Sequence, residues 1–258
     1  MPAYDIDKIK YGTDAPTFEK ALDLYGKGKV TGFEEMAKGF SAVVLGTHPY
    51  HVSVSSRNYD RGGCDCYLGQ NGILCKHIVA LAICAVKRGL PLIEEDREIV
   101  RGPACSGKRG ELDEEESSSV KEGIAGAMKH IKAYRGPSKI WFSYQNSLSE
   151  GCNRLSKIVS GLPVSGQTAK IVVDILLRLD KKLCGGVDDS DGTVGGFIEE
   201  SVIMLKEFVD IDPGCRNALS ALKGKETCFG WEEPLLRIIG YAKKTEMDVG
   251  GGVDNGVD

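Results

Sequence analysis

Gly63-Cys-Asp-Cys-Tyr-Leu-Gly-Gln-Asn-Gly-Ile-Leu-Cys75-Lys-His77 runs directly into Ile78-Val-Ala-Leu-Ala-Ile-Cys-Ala-Val86, and the rest of the chain is read outward from this stretch. Cys64 and Cys66 are separated by one residue, Cys75 and His77 by one, and the two pairs by eight. Zinc takes four nitrogen or sulfur ligands in a tetrahedron. Side chains two positions apart on a bend can converge on one ion. The intervening Gly69, Gln70, Asn71 and Gly72 permit tight turns. The second pair opens an apolar run too long for an ordinary strand, so a buried helix is expected from Ile78. Its first turn would offer free N–H groups to the Cys75 thiolate. A redox role for Cys64 and Cys66 alone would leave Cys75 and His77 unexplained in a chain with only four histidines. The reading is one Zn2+ held by Cys64, Cys66, Cys75 and His77.

Three thiolates and one imidazole fill all four positions and give the site a net charge of about −1. A catalytic zinc keeps a position open for water or substrate. This zinc is therefore read as structural, tying a hairpin to a helix in a module with a small core. No Gly-rich phosphate loop, nucleophile elbow or H-E-x-x-H is present, and the chain is expected to be non-enzymatic.

Ahead of the metal stretch, Phe18, Ala21, Leu22 and Tyr25 have helical spacing after Asp14-Ala-Pro16. Ala42–Leu45 is an apolar run, Gly46-Thr-His-Pro49 a turn, and Tyr50, Val52 and Val54 alternate with polar residues, which predicts a β-hairpin. Residues 105–118 are polar and Ser-rich and read as a linker. Beyond them, Ser119-Val-Lys-Glu122 has capping-box spacing. A stripe from Trp141 to Leu162, the segment Ile171–Leu183, a stripe from Val194 to Val209 and a last one from Trp231 to Ala242 predict five or six packed helices. The Gly/Asp-rich end, residues 246–258, reads as disordered. The expectation is an α+β chain: a zinc-stabilised module over residues 1–104, the linker, an all-helical domain over residues 119–245, and the tail.

The other candidates are weaker. His48 and His51 flank the hairpin turn and read as exposed. Asp188-Asp-Ser-Asp-Gly192 fails the EF-hand register and reads as a helix N-cap at Asp189, Ser190 or Asp191. The remaining five of the nine cysteines without ligand spacing after Cys84, together with Cys84 itself, read as core thiols, and a disulfide framework is not expected.

Net charge is −4. Residues 1–110 hold 15 Lys and Arg against 13 Asp and Glu, so neither half has the basic excess usual in proteins that grip phosphate backbones. No apolar run approaches the roughly 20 residues that span a bilayer. A cytoplasmic location without membrane contact is the expectation.

The C-x-C, C-x-H pattern resembles the SWIM zinc finger, found in some chromatin-remodelling ATPases, plant-type transposases and many prokaryotic proteins. The likeness spans about residues 18–90, from Leu24-Tyr-Gly-Lys-Gly-Lys-Val30 ahead of a strand to the exit helix at Cys75-Lys-His-Ile-Val-Ala-Leu81. Tyr67 stands where the family often has Pro, which alters the turn and not the ligand set. The helical half is similar to prokaryotic proteins of this kind. The resemblance implies an accessory protein of DNA-acting machinery whose finger docks a protein partner. Direct nucleic-acid binding, through Arg57, Arg61, Lys76, Lys87, Arg88, Arg97, Arg101, Lys108 and Arg109, is the alternative.

Overall fold

A computed structural model describes residues 1–99, 102–137 and 141–241. Helices α1 (Ile6–Tyr11) and α2 (Ala15–Gly26) lead into four strands, β1 (Val30–Met36), β2 (Gly39–Leu45), β3 (Pro49–Ser55) and β4 (Gly62–Cys64). These form one antiparallel sheet in the order β1-β2-β3-β4. The hairpin expected at 40–55 is its centre, with Leu45 paired to Pro49 and Gly39 to Ser55. Helix α3 (Tyr67–Gln70) lies in the loop between the ligand pairs, and α4 (Lys76–Lys87) and α5 (Glu94–Arg97) follow.

The apolar run of residues 78–86 within α4 has a direct cause. Ile78, Leu81 and Ala85 pack with Phe40, Val44, Val52 and Val54 of the sheet. Val79, Ala82 and Ile83 pack with Ile9, Phe18, Leu22 and Tyr59 on the other side. A helix covered on both sides has no need of a polar face.

The second half is helical: α6 (Glu114–Met128), α7 (Trp141–Ser160), α8 (Gly166–Cys184), α9 (Thr193–Ile211), α10 (Arg216–Leu219) and α11 (Glu233–Ile238). Their buried faces share one core that includes Leu148, Leu155, Leu176, Leu205 and Phe208. Asp189 accepts from the Val194 and Gly195 amides at 2.7 and 2.8 Å, so it satisfies the start of α9.

Three sequence expectations are corrected. The capping box that starts α6 is Asp113 with Glu116, not Ser119 with Glu122, so the helix begins inside the stretch read as linker. Glu114, Glu115 and Glu116 sit in its first turn, where carboxylates favour the helix dipole. The remaining linker is bound down: Val164 donates to Lys108 O at 2.7 Å, and Ser106 to Leu162 O at 2.7 Å. Two cysteines read as core thiols, Cys184 and Cys228, are joined in a disulfide that spans 44 residues. Cys84 is half-buried, while Cys152 and Cys215 are buried. The tail at 246–258 and residue Ala242 lie outside the described residues.

The halves meet along α7. Asn153 donates to Tyr11 O at 2.8 Å, Ser143 to Asp60 at 2.9 Å, and the Arg154 guanidinium lies 5.0 Å from the Tyr11 ring centre.

Candidate metal centre

The four ligands come from three local elements. Cys64 ends β4, whose pairing with β3 sets Val52 opposite it. Cys66 is the N-cap of α3, and the Gly69 amide points at its sulfur from 3.4 Å. Cys75 is the N-cap of α4, and His77 lies in that helix's first turn. Asp65, between the first two cysteines, is pinned to β3. Its carboxylate oxygens each accept from the His51 amide at 3.1 Å, and Asp65 N donates to His51 O at 3.3 Å. That amide bond holds the Asp65 carboxyl below the usual carboxylate range.

One ligand atom from each of Cys64, Cys66, Cys75 and His77 lies within 4.8 Å of the others, and all four residues are buried. His77 Nδ1 is 3.7 Å from Cys64 Sγ and 3.9 Å from Cys75 Sγ. A tetrahedral zinc with bonds of about 2.0–2.3 Å requires ligand separations of about 3.6–3.8 Å. The donor set fits one zinc. Nothing in the arrangement leaves a fifth donor or an open position, so the zinc is structural. Asp180, Cys184 and Cys228 also lie close together, but the disulfide uses both sulfurs.

Burial drives the Cys64 and Cys75 thiols above the usual thiol range. Burial pushes Cys66 up as well, but hydrogen bonds from the Gly69 amide and from the Cys64 and Cys75 thiols bring it below that range. Desolvation lowers His77, which leaves a neutral imidazole suited to a metal. Its other nitrogen, Nε2, is buried without a hydrogen-bond partner. The ring instead stacks on Tyr50, with centroids 4.3 Å apart.

The four residues singled out in the sequence are thus brought together. Their supports were not legible there. A Cβ on Gly46 would sit 3.1 Å from His77 Nε2 and 3.0 Å from Tyr50 Cε2. A Cβ on Gly69 would meet Cys64 O at 2.4 Å. The sequence marked Gly69 only as turn-permitting; the crowding depends on the packed loop. His48 and His51 are exposed, as expected, and His51 faces Asp65 at 3.2 Å.

The family model of the SWIM zinc finger matches residues 50–85. No curated protein and no solved structure matches the chain. The matched segment contains all four clustered ligands, so residues 50–85 form a zinc-binding SWIM finger built around one structural zinc.

Proposed function

We propose that this chain is a non-enzymatic accessory protein whose zinc finger docks a protein partner, within a complex that acts on DNA. The observation that carries the reading is the outer face of the metal loop. Tyr67, Leu68 and Ile73 are 81%, 42% and 47% exposed, all between the ligand pairs. Large apolar side chains clustered in the open favour an interaction surface, and a zinc-fixed loop loses little entropy when it binds. The DNA-acting context comes from the SWIM resemblance.

The basic side chains near the finger support direct nucleic-acid binding less well. Lys87 is paired with buried Asp96 at 2.6 Å, and Arg88 with Glu35 at 3.2 Å. Arg109 donates to Ile211 O. Arg101 lies outside the described residues. Cations already engaged release few counterions when they meet phosphate.

Affinity capture with zinc-loaded full chain and a Tyr67→Ser/Leu68→Ser double variant tests the proposal. Partners lost by the double variant at unchanged zinc content support it; equal recovery by both forms refutes it. Gel retardation of duplex DNA with a steep salt dependence would move the function to nucleic acid. No helix among the described residues is long and apolar enough to cross a membrane.

A further inference from the structure

A cleft of about 1110 Å³ opens between the zinc finger and α7; it shares Ile73 with the exposed loop face, but not Tyr67 or Leu68. Its floor on the helical side is a row of polar side chains on α7. Asn146, Ser149 and Ser156 line it at helical spacing, and none makes a side-chain hydrogen bond within the described fold. Ser156 is only 2% exposed. A hydroxyl with no partner in the fold is free to hydrogen-bond a bound group. Ser143 and Asn153 of the same helix behave differently, since their side chains hold Asp60 and the Tyr11 carbonyl.

We propose that this cleft binds an extended peptide segment carrying a basic side chain. The row from Asn146 to Ser156 covers ten residues of helix, or about 15 Å at 1.5 Å per residue. An extended chain at about 3.3 Å per residue places four or five residues along it. Hydroxyl and carboxamide groups both donate and accept, as peptide units require. The wall formed by the metal loop, with Ile73 and Leu74, offers apolar contacts for alternate side chains.

Charge decides between peptide and nucleic acid. Asp14 and Glu200, together with Asp60, which accepts from Ser143, line the cleft against Lys10 and Arg61. Lys10 turns its ammonium to the Glu95 carbonyl oxygen, which leaves Arg61 as the exposed cation among the described lining residues. A phosphate chain would be repelled here, and a Lys or Arg side chain attracted.

The inference deepens the protein-interaction reading and rests on it, but it uses a different surface from Tyr67 and Leu68. Fluorescence anisotropy on zinc-loaded full chain tests it. The probes are a labelled octapeptide pool with central Lys or Arg between aliphatic residues, a matched pool with Glu instead, and labelled oligo-dT. The expected result is saturable binding of the basic pool, weaker by about tenfold or more for the acidic pool and for oligo-dT. Glu200→Lys, an exposed change that leaves the core intact, should weaken the basic pool about fivefold or more. Ser149→Arg, which projects into the cleft, should abolish binding. Tyr67→Ser/Leu68→Ser should leave it unchanged. No saturable binding of the basic pool, equal or tighter binding of the acidic pool or oligo-dT, or affinity unaltered by both cleft variants would overturn the proposal. Cleft failure with loop-dependent capture intact would leave the docking function standing, so the two are separable.

Discussion

Gly69→Ala is the sharpest single test of how the metal loop is built. Gly69 has an ordinary backbone conformation, since it is absent from the positive-φ glycines, and it lies inside the four-residue helix α3. Propensity alone says that alanine should stabilise this helix by up to about 1 kcal/mol. Packing says the reverse. The added Cβ would lie 2.4 Å from Cys64 O, 2.6 Å from Cys64 Cβ and 2.9 Å from Cys64 C. These are backbone and ligand atoms, and no rotamer change clears them. Overpacking against such atoms costs about 1–3 kcal/mol. Contacts this short put the cost in the upper part of that range, about 2–3 kcal/mol, and after the propensity gain a net loss of about 1–2 kcal/mol remains, or zinc binding weaker by roughly 5–30-fold. The displaced atoms belong to Cys64, so the loss appears at the metal first. Gly72→Ala is the control. Its φ is +71°, but a Cβ there meets nothing within 4 Å. It should cost about 1 kcal/mol of backbone strain and leave the ligand geometry intact. Competition with a chromogenic chelator, run beside thermal melts, separates the two variants. Gly69→Ala protein holding zinc within about twofold of wild type at unchanged Tm would refute the reasoning.

Three further predictions concern stability and pH. Cys184→Ser removes a crosslink that spans 44 residues, which chain-entropy arguments value at about 4 kcal/mol; denaturant titrations of oxidised wild type and variant should differ by most of that amount, and coincident curves would show that the bridge contributes nothing. Zinc binding should weaken steeply as pH falls, because burial keeps protons on Cys64 and Cys75 at neutral pH that zinc must displace, whereas the lowered His77 supplies none. In metal-free protein the sign reverses: the raised thiols favour the fold below the unfolded value of about 8.5, and that contribution is lost as pH rises through their higher folded values. Calorimetry in buffers of different ionisation enthalpy reads the protons released, and a pH-independent affinity between about pH 6 and 8 would sink this account. Asp96→Asn strands Lys87, whose side chain is 14% exposed beside a carboxylate that is 4% exposed, and should cost about 3 kcal/mol in denaturant titrations. Burial raises Asp96, but the Lys87 bond and the Ile93 amide outweigh it and bring the carboxyl below its usual range. Its contribution is therefore present above about pH 4 and lost as pH falls through the lower folded value.

The ligand set was legible because metal chemistry is local in sequence: four donors within 14 positions identify themselves by type and spacing. Long helices were legible for a similar reason, since their stripes repeat every turn. Effects that depend on a packed partner were not. Asp113-Glu-Glu-Glu116 had the same capping spacing as Ser119-Val-Lys-Glu122, and the apolar stripe alone could not choose between them. The structure favours Asp113 because the three glutamates then occupy the positive end of the helix. Cys184 and Cys228 carry no local signal of their pairing. They meet because Asp180, near the end of α8, accepts from both the Cys228 amide at 2.8 Å and the Trp231 indole at 3.0 Å. Strand β1 was expected only from the resemblance, as the strand that residues 24–30 lead into, and strand β4 was missed. β4 has three residues, two of them glycine, and exists only because β3 offers an edge.

The zinc is structural, yet its position relative to the cleft gives it a functional reach. Asp60 and Arg61 immediately precede β4, which ends at Cys64. Gly72, Ile73 and Leu74 immediately precede Cys75. Both groups line the cleft, so each ligand pair is entered from the cleft wall. Apart from the metal, the intervening loop is held by the Asp65 bonds to His51, by short bonds within itself such as Gln70 to Asp65 O at 2.8 Å and Ile73 N to Leu68 O at 3.0 Å, and by Leu74, which packs against both clusters of the finger. The core under α1 and α2 is anchored independently by Val79, Ala82 and Ile83 of α4. Metal loss should loosen Gly72 and Ile73 while Leu74 stays packed and Tyr11 and Asn153 stay paired, so one wall of the cleft moves and the other holds. A structural ion placed in this way governs binding without touching the ligand, because it decides whether the apolar wall faces the hydroxyls of α7.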